Sequence, residues 1–355
     1  MSVIETIARE AGVSPRTVSN VLNRKNKETW PAIAERAARI RQVAARHDYM
    51  PNAAARAVRS GRFSSAALVY RANNTFFSAG LFSGVCDALA ANDMHMTFVR
   101  MPEILSADDG QVLPKAFREM CVDGLLFDTA HDIPKPVMSV IRRQRIPAIW
   151  LNAREEADCV YPDELEASAR LTRMLIERGH RRIAFAYSRV SWPDAVVDAH
   201  FSWADRYAGY AGAMAEAGLA AERMEKVYAV PLNALPPWGT SQDDRLARAM
   251  AVLRRADRPT AIVSPDPDSA GPFVQAAALL GLAVPGDLSV ATINHERVAH
   301  YGQSLSMMVT PMVEVGRQSV QQLLRKTQSL EEALAPLAVP FTQMEGNTIG
   351  DGPNE

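Results

Sequence analysis

The sequence has few cysteines, no long apolar run and almost no net charge. Its three cysteines in 355 residues, Cys86, Cys121 and Cys159, are far apart and lack the spacing of metal ligands. They argue against a disulfide-stabilised secreted scaffold and suit a reducing compartment, where each is a small core residue. No apolar stretch approaches the roughly 18 residues that span a bilayer, and the N-terminus lacks the charged-then-apolar pattern of a secretory signal. We therefore expect a cytoplasmic protein without a membrane partner.

Signatures of catalysis are missing as well. The chain has no G-x-S-x-G, no H-E-x-x-H, no phosphate-binding P-loop and no G-x-G-x-x-G after a strand. Its histidines are scattered along the sequence. We therefore expect a protein that is not an enzyme and that carries neither a cofactor nor a metal ion.

What the sequence does have is an uneven distribution of charge. Residues 1–62 contain 12 basic and 5 acidic residues, a net charge of +7, whereas the rest of the chain contains 27 basic and 35 acidic residues, a net charge of −8. A basic module joined to an acidic body favours binding to a polyanion such as nucleic acid. The alternative interpretation is a solvated basic face.

Two short amphipathic helices separated by Gly12 begin the chain. The first, within residues 4–11, places its apolar residues on one face. The second starts with Ser14 as an N-cap and Pro15 in the first helical position, where the missing N–H costs nothing. This arrangement is typical of a helix-turn-helix, whose second helix enters the major groove of DNA. The alternative is an αα-hairpin with a polar outer face.

The second helix carries a polar face that suits DNA. Arg16, Asn20 and Asn23 recur at i, i+4 and i+7, opposite the apolar positions. Arginine donates two hydrogen bonds to guanine and asparagine pairs with adenine, so these side chains are candidates for reading bases. Thr17 and Ser19 are candidates for phosphate contacts, which position the module without reading sequence.

A third helix and a short alanine-rich segment follow. Thr29 is the predicted cap of the third helix, and Pro51 ends it. Asn52 caps a further helix of about eight residues that Gly61 terminates. A helix this short is not stable alone in water, so we expect it to become ordered only with a partner. The alternative is a plain interdomain linker.

From about residue 64 onward, short apolar strands alternate with amphipathic helices, a pattern that predicts an α/β fold with a parallel sheet covered on both faces. The candidate strands are too many for one comfortable sheet, so we predict two doubly wound subdomains. Ligands of such folds bind beyond the carboxyl ends of the strands. The candidate strands are residues 65–70, 96–100, 124–128, 148–152, 183–187, 226–230, 261–265, 288–294 and 339–343.

The segments IAREAGVSPRTVSNVLN and YMPNAAARAVRSGR resemble the DNA-binding head and hinge helix of the lactose-repressor (LacI/GalR) family of transcription regulators. The resemblance implies that Pro15, Arg16 and Asn20 face base edges. The family often has arginine where Asn20 stands, so a different operator base is expected there.

The same resemblance implies that the alanine-rich segment is a hinge helix that folds in the minor groove. Its implied DNA contacts are Asn52, Ala55 and Val58. Val58 replaces the family's leucine wedge, and a shorter wedge implies less unstacking of the base step.

Four segments of the body, RGHRRIAF, DRYAGYAGAMAEAGL, RPTAIVSPD and GLAVPGDLSVATIN, resemble the periplasmic-binding-protein-like core of that family in the same order. Arg206 matches a family arginine that reaches into the effector cleft, with a surface ion pair as the alternative. Phe76 and Phe77 are candidates for an apolar wall, with core packing as the alternative. Trp238 lies near a family aromatic that stacks on the effector, and Trp150 ends a strand that borders the cleft.

Two departures from the family pattern affect the effector site. Asn294 and His295 stand where the family has two aspartates, and an asparagine still recognises hydroxyls because it both donates and accepts. Pro265 and Asp266 stand where the family has Asn-Asp, so Asp266 either binds effector or caps the next helix. Asp163, at a crossover between subdomains, has the same two interpretations.

We predict a homodimeric, ligand-responsive repressor of sugar or carbon-source genes that binds a near-palindromic operator. The alternative is a solute-binding protein, or another small-molecule receptor, without a DNA role. The predicted domains are a helix-turn-helix domain at 1–50, a hinge at 51–62 and an effector-binding and dimerisation domain at 63–345. Within the last, the predicted N-subdomain is 63–162 with 294–324, and the C-subdomain is 163–293 with 325–345.

Overall fold

A computed structural model describes residues 2–23, 30–50, 57, 61–71, 78–101, 121–128, 135–186, 200–223, 242–300 and 302–353. The chain divides into two compact units, Met1–Ser64 and Ser65–Glu355. Several predicted positions lie outside the described residues: Thr29, Asn52, Ala55, Val58, Phe76, Phe77, Trp238 and the candidate strand at 226–230.

In its described residues, the first unit contains three helices around a small apolar core. The helices are α1 (Val3–Ala11), α2 (Pro15–Leu22) and α3 (Pro31–Arg46). Ser2 and Glu5 form a capping box at the start of α1, and Gly12 ends that helix with a left-handed φ of 66°. Ile7, Ala8 and Ala11 of α1 and Val18 and Val21 of α2 are buried together with apolar residues of α3. The helix-turn-helix follows because each helix is too short to bury its apolar face alone.

The described part of the second unit forms two six-stranded sheets, and the first of them is parallel throughout. Its strand order is β13-β5-β4-β3-β1-β2. The strands are β1 (Ser65–Arg71), β2 (His95–Met101), β3 (Gly124–Asp128), β4 (Ala148–Leu151), β5 (Cys159–Pro162) and β13 (Leu337–Val339). Successive residues of β1 enter apolar clusters on opposite faces, as expected of a sheet covered on both sides.

The second sheet has the order β14-β12-β9-β8-β6-β7 and is parallel except for the β12–β14 pair. Its strands are β6 (Ile183–Phe185), β7 (Glu222–Arg223), β8 (Ala261–Ser264), β9 (Ser289–Asn294), β12 (Ser306–Val309) and β14 (Thr342–Met344). A short antiparallel pair, β10 (Ala299–His300) and β11 (Gln303–Ser304), stands apart from both sheets.

Seven described helices accompany the sheets: α4 (Ala79–Ala91), α5 (Lys135–Arg143), α6 (Glu164–Glu177), α7 (Ser202–Glu216), α8 (Gln242–Leu253), α9 (Pro267–Leu279) and α10 (Met312–Lys326). Helices α4 and α10 pack against each other beside the first sheet, and α6 packs against α7 beside the second. None of the described helices is both long enough and apolar enough to cross a membrane.

The crossing points between the two subdomains differ from the predicted boundaries. β12 pairs with β9 in the second sheet, so residues 294–309 do not join the first subdomain as predicted. β13 pairs with β5, so residues 325–339 belong to the first subdomain rather than the second. Strand pairing is a long-range choice that apolar periodicity does not specify, and the predicted single strand at 339–343 is two strands in different sheets.

A glycine allows α6 and α7 to pack closely. A Cβ atom on Gly209 would lie 2.1 Å from the carbonyl oxygen of Leu165 in α6. We therefore expect Gly209→Ala to lower the free energy of unfolding by about 1–3 kcal/mol, measured by urea denaturation. Gly212→Ala in the same helix meets nothing within 4 Å and should stabilise the chain by up to about 1 kcal/mol. Equal destabilisation by both variants would contradict this explanation.

Candidate DNA-binding helix and effector site

Local contacts define the start of α2 and the face that it buries. The Ser14 side chain accepts a hydrogen bond from the Thr17 backbone N–H at 3.1 Å, and Pro15 occupies the first helical turn. Val18 and Val21 are buried in the core of the head. The opposite side of α2, from Arg16 to Asn23, is therefore turned outward.

Two polar side chains on that outer side have no partner among the described residues. Arg16 is exposed and Asn20 is half-buried, and neither makes a hydrogen bond or an ion pair with any residue in the described part of the chain. Because 16 and 20 are one turn apart, their side chains project from the same face. This leaves a guanidinium and a carboxamide available to an external partner.

The other polar residues of α2 bond within the helix. The Thr17 and Ser14 hydroxyls lie 2.9 Å apart. Asn23 is the C-cap, and its Nδ2 donates to the carbonyl oxygen of Ser19 at 2.6 Å. Asn23 therefore has a structural role at the helix end, in addition to any role toward DNA.

In the body, Arg206 lies at the centre of a partly buried ion pair. Its Nε and Nη2 donate to the two carboxylate oxygens of Glu164 at 2.6 and 2.9 Å, and its Nη1 donates to the carbonyl oxygen of Pro265 at 2.5 Å. The Arg206 side chain is 13% exposed and that of Glu164 is 2% exposed. Burial raises the pKa of the Glu164 carboxyl, and Arg206 opposes that rise. Arg206 is therefore not part of a surface ion pair, and its guanidinium already has partners within the chain.

Two further carboxylates beside this pair cap helices. Asp163 is the N-cap of α6 and accepts from the backbone N–H of Glu166 at 3.2 Å. Asp266 is the N-cap of α9 and accepts from the backbone N–H of Ser269 at 2.7 Å. Burial raises the pKa of Asp266, while its hydrogen bonds to Ser269 and the charge of Arg206 oppose that rise. Helix capping accounts for both residues without requiring a ligand.

Among the described residues, three contacts join the two subdomains next to this site. Nη1 of Arg154, which follows β4, lies 2.6 Å from both carboxylate oxygens of Asp205 in α7. Nε2 of His200 lies 2.7 Å from the carbonyl oxygen of Asn152, whose φ of 50° turns the chain out of β4. The rings of Tyr161 and Phe201 form an edge-to-face pair with centroids 5.7 Å apart. These contacts hold the carboxyl-terminal end of the first sheet to the start of α7.

The remaining predicted effector residues lie in different settings. Trp150 is 5% exposed, and its ring packs 4.7 Å from that of Phe127 in the core, which favours a packing role. Asn294 ends β9, and its Nδ2 donates to the carbonyl oxygen of Glu296 at 3.0 Å. Asn294 is half-buried, so its amide remains partly accessible at the carboxyl end of the strand.

Sequence reasoning missed two buried acids. Glu164 reads as an ordinary residue in the first turn of a helix, and no local signal marks it. Asp128 ends the apolar strand GLLFD, and a carboxylate at the carboxyl end of a buried strand is a signal that the sequence does offer. Asp128 is 4% exposed, and burial raises its pKa to about 7. Among the described residues, no group of three or more His, Cys, Asp and Glu is arranged to hold a metal ion.

A helix-turn-helix with an outward polar face, followed by a receptor of two α/β subdomains, defines a DNA-binding regulator that responds to a small molecule. Comparisons with known proteins agree: residues 3–52 match the family described as "Bacterial regulatory proteins, lacI family", and residues 172–348 match the periplasmic binding protein-like domain. The chain therefore carries a LacI-family DNA-binding domain followed by a periplasmic binding protein-like domain.

Relatives match along nearly the whole chain. The HTH-type transcriptional repressor PurR of Erwinia tasmaniensis is 26% identical over 367 residues, which cover 99% of this chain and 98% of that protein. PurR of Shigella dysenteriae is 27% identical over 371 residues, with the same coverage.

Two solved structures share the fold. The lac repressor dimer bound to operator and the anti-inducer ONPF has a TM-score of 0.67 at 18% identity, covering 96% of this chain and 97% of that one. The complex of the transcriptional regulator CelR with cellobiose has a TM-score of 0.59 at 21% identity, covering 98% and 100%.

Proposed function

We propose that this protein is a sequence-specific repressor whose affinity for its operator is switched by a sugar or related polyol. The observation that carries the DNA role is the outer face of α2, where Arg16 and Asn20 have no partner in the described part of the chain. The alternative of a solute-binding protein does not account for this head. The repressor names of the curated relatives support the direction of regulation.

In this proposal, Arg16 reads a guanine and Asn20 an adenine in the major groove. Pro15 approaches the base edges beside them. Ser14, Thr17 and Ser19 contact the phosphates on either side and hold α2 in register, and Asn23 reads a further base at the end of the helix. The hinge residues Asn52, Ala55 and Val58 enter the adjacent minor groove.

One head makes few base contacts, so we propose that the protein acts as a homodimer on two half-sites of a near-palindrome. The DNA target implies action in the cytoplasm. No step in this scheme requires catalysis or a cofactor.

The effector is proposed to bind beyond the carboxyl ends of the strands of both subdomains. Asp266 and Asn294 lie at that end of strands β8 and β9, Arg206 donates to the carbonyl oxygen in the loop after β8, and Asp163 follows β5 of the first sheet. Phe76 and Phe77 are proposed from the sequence as an apolar wall, and Trp238 as an aromatic that stacks on the effector. The similarity to CelR, which was solved with cellobiose, supports a carbohydrate ligand.

The switch is proposed to act through the orientation of the two subdomains. In the structure, the two subdomains are joined by the ion pair of Arg154 with Asp205 and by the hydrogen bond between His200 and Asn152. A ligand that favours another arrangement must break or replace them. Its effect on DNA affinity is limited to its preference between the two arrangements, about 1–3 kcal/mol in typical systems.

The test is selection of duplexes from a random pool by the full-length chain, followed by measurement of affinity for the selected site. We expect Arg16→Ala to weaken binding to that site by about 1–3 kcal/mol, because a bidentate contact to one base is lost, and to relax preference at that base pair alone.

Arg39→Ala is the matched control, because Arg39 is also an exposed arginine of the head but lies on α3 rather than on α2. It should leave the base preference unchanged. If Arg16→Ala weakens all duplexes equally, Arg16 is a phosphate contact; if the unmodified chain selects no duplex, the DNA-binding proposal is wrong.

A further inference from the structure

The guanidinium of Arg206 is already neutralised by a residue of its own chain. Three of its N–H groups donate to Glu164 and to the carbonyl oxygen of Pro265. A guanidinium binds a carboxylate or phosphate most tightly through paired N–H groups, and here Glu164 occupies one such pair in bidentate geometry. An anionic ligand would therefore have to compete with an intramolecular partner.

Two features of the fold position Glu164 against Arg206. Asp163 caps the start of α6, which fixes the helical turn on which Glu164 stands. Close packing of α6 against α7 at Gly209 brings the two side chains together. Since the Glu164 side chain is only 2% exposed, water screens its carboxylate little and Arg206 is its main charged partner.

The charged groups near Arg206 also disfavour an anionic ligand. Within the described residues, Arg206 faces the carboxylates of Glu164 and Asp266, and Asp163 and Asp205 also interact with Glu164. The other nearby guanidinium, that of Arg154, is paired with Asp205. Among the described residues, the carboxylates that interact with Glu164 and Arg206 thus outnumber the arginines.

We propose that Glu164 is a specificity-determining residue: by occupying Arg206 it makes the effector site reject anions, such as sugar acids and sugar phosphates, and take neutral or amine-bearing polyols. This inference rests on the proposed function, because it assigns the charge class of that effector. Arg206 orders the start of α6 and the β8–α9 loop around the ligand and offers it only its remaining N–H groups.

The first experiment measures thermal unfolding of the unmodified full-length chain with D-glucose, D-glucosamine or D-glucuronate, each at the same ionic strength. We expect glucuronate to shift the melting temperature no more than sodium chloride does. If glucuronate stabilises more than glucose, and Arg206→Lys removes that gain, the inference is overturned. This experiment does not require a substitution of Glu164.

The second experiment repeats the glucuronate titration, and one with inorganic phosphate, on Glu164→Gln. The amide keeps the side-chain shape but frees the charge of Arg206, so apparent affinity for both anions should rise by about tenfold, equivalent to one favourable charged contact. Glu166→Gln is the matched control, since Glu166 lies on the same helix and pairs instead with Arg173 on an exposed face. Adding Arg206→Met to Glu164→Gln should abolish the gain.

No gain in folded Glu164→Gln, or an equal gain in Glu166→Gln, would contradict the role of Glu164. The operator selection described above separates the two proposals. A chain that selects a duplex and also prefers glucuronate remains a regulator with a different effector class, whereas a chain that selects no duplex is not a regulator, whatever sugars it binds.

Discussion

Replacing Arg206 with alanine is expected to lower the free energy of unfolding by about 3–5 kcal/mol, because the variant leaves a buried carboxylate without its partner. Glu164 would lose both charge-assisted hydrogen bonds while remaining 2% exposed. The measurement is urea denaturation of the full-length chain at pH 7.

The loss should depend on pH in a defined direction. Burial already raises the pKa of Glu164, and removing Arg206 raises it further. A carboxyl whose folded pKa lies above its unfolded value is disfavoured when ionised, so the variant loses stability as pH rises above the unfolded value and recovers toward acid pH.

Arg173→Ala is the control for the Arg206 variant. Arg173 also pairs with a glutamate of α6, Glu166, but that pair is exposed, so its removal should change stability by less than about 1 kcal/mol. Arg206→Met combined with Glu164→Gln removes both charges and should recover much of the loss. If Arg206→Ala costs no more than Arg173→Ala, the buried pair does not stabilise the body.

The second large effect is expected at Asp128. Its pKa of about 7 lies above the ordinary value of 3.8, because burial disfavours the ionised form. The folded state therefore binds this proton more tightly than the unfolded chain does. The free energy of unfolding should fall as pH rises from about 4 to about 7, by up to about 4 kcal/mol for a shift of about three pKa units.

Asp128→Asn should flatten that part of the stability profile, because an amide mimics the protonated acid at every pH. The measurement is denaturation of both proteins across pH 4–8. Asp87→Asn, on the exposed side of α4, should leave the profile unchanged. A profile that keeps its slope in Asp128→Asn would assign the titration to another group.

Local chemistry determined the elements of this protein. The Ser14 cap, Pro15 and Gly12 each act within a few residues, so the helix-turn-helix and its outward face could be predicted from the sequence. The apolar runs of β1, β3, β4, β8 and β9 also predict strands directly, because a strand buried on both faces must be apolar throughout.

Long-range choices could not be predicted in this way. β12 joins the second sheet by pairing with β9, and β13 joins the first sheet by pairing with β5. The apolar pattern of each segment would be the same in either sheet, so the sequence does not show which sheet it joins. Trp150 likewise has the sequence signature of a cleft residue, yet the side of β4 on which it lies faces the core.

The sequence alone determined that a basic helix-turn-helix precedes a two-subdomain α/β receptor, because capping, turns and apolar periodicity are local properties. Only the tertiary structure decided that Arg206 is engaged by Glu164 and the Pro265 carbonyl. Residues 164, 206 and 265 are far apart in the chain, and packing alone brings a carboxylate, a guanidinium and a carbonyl oxygen within hydrogen-bonding distance.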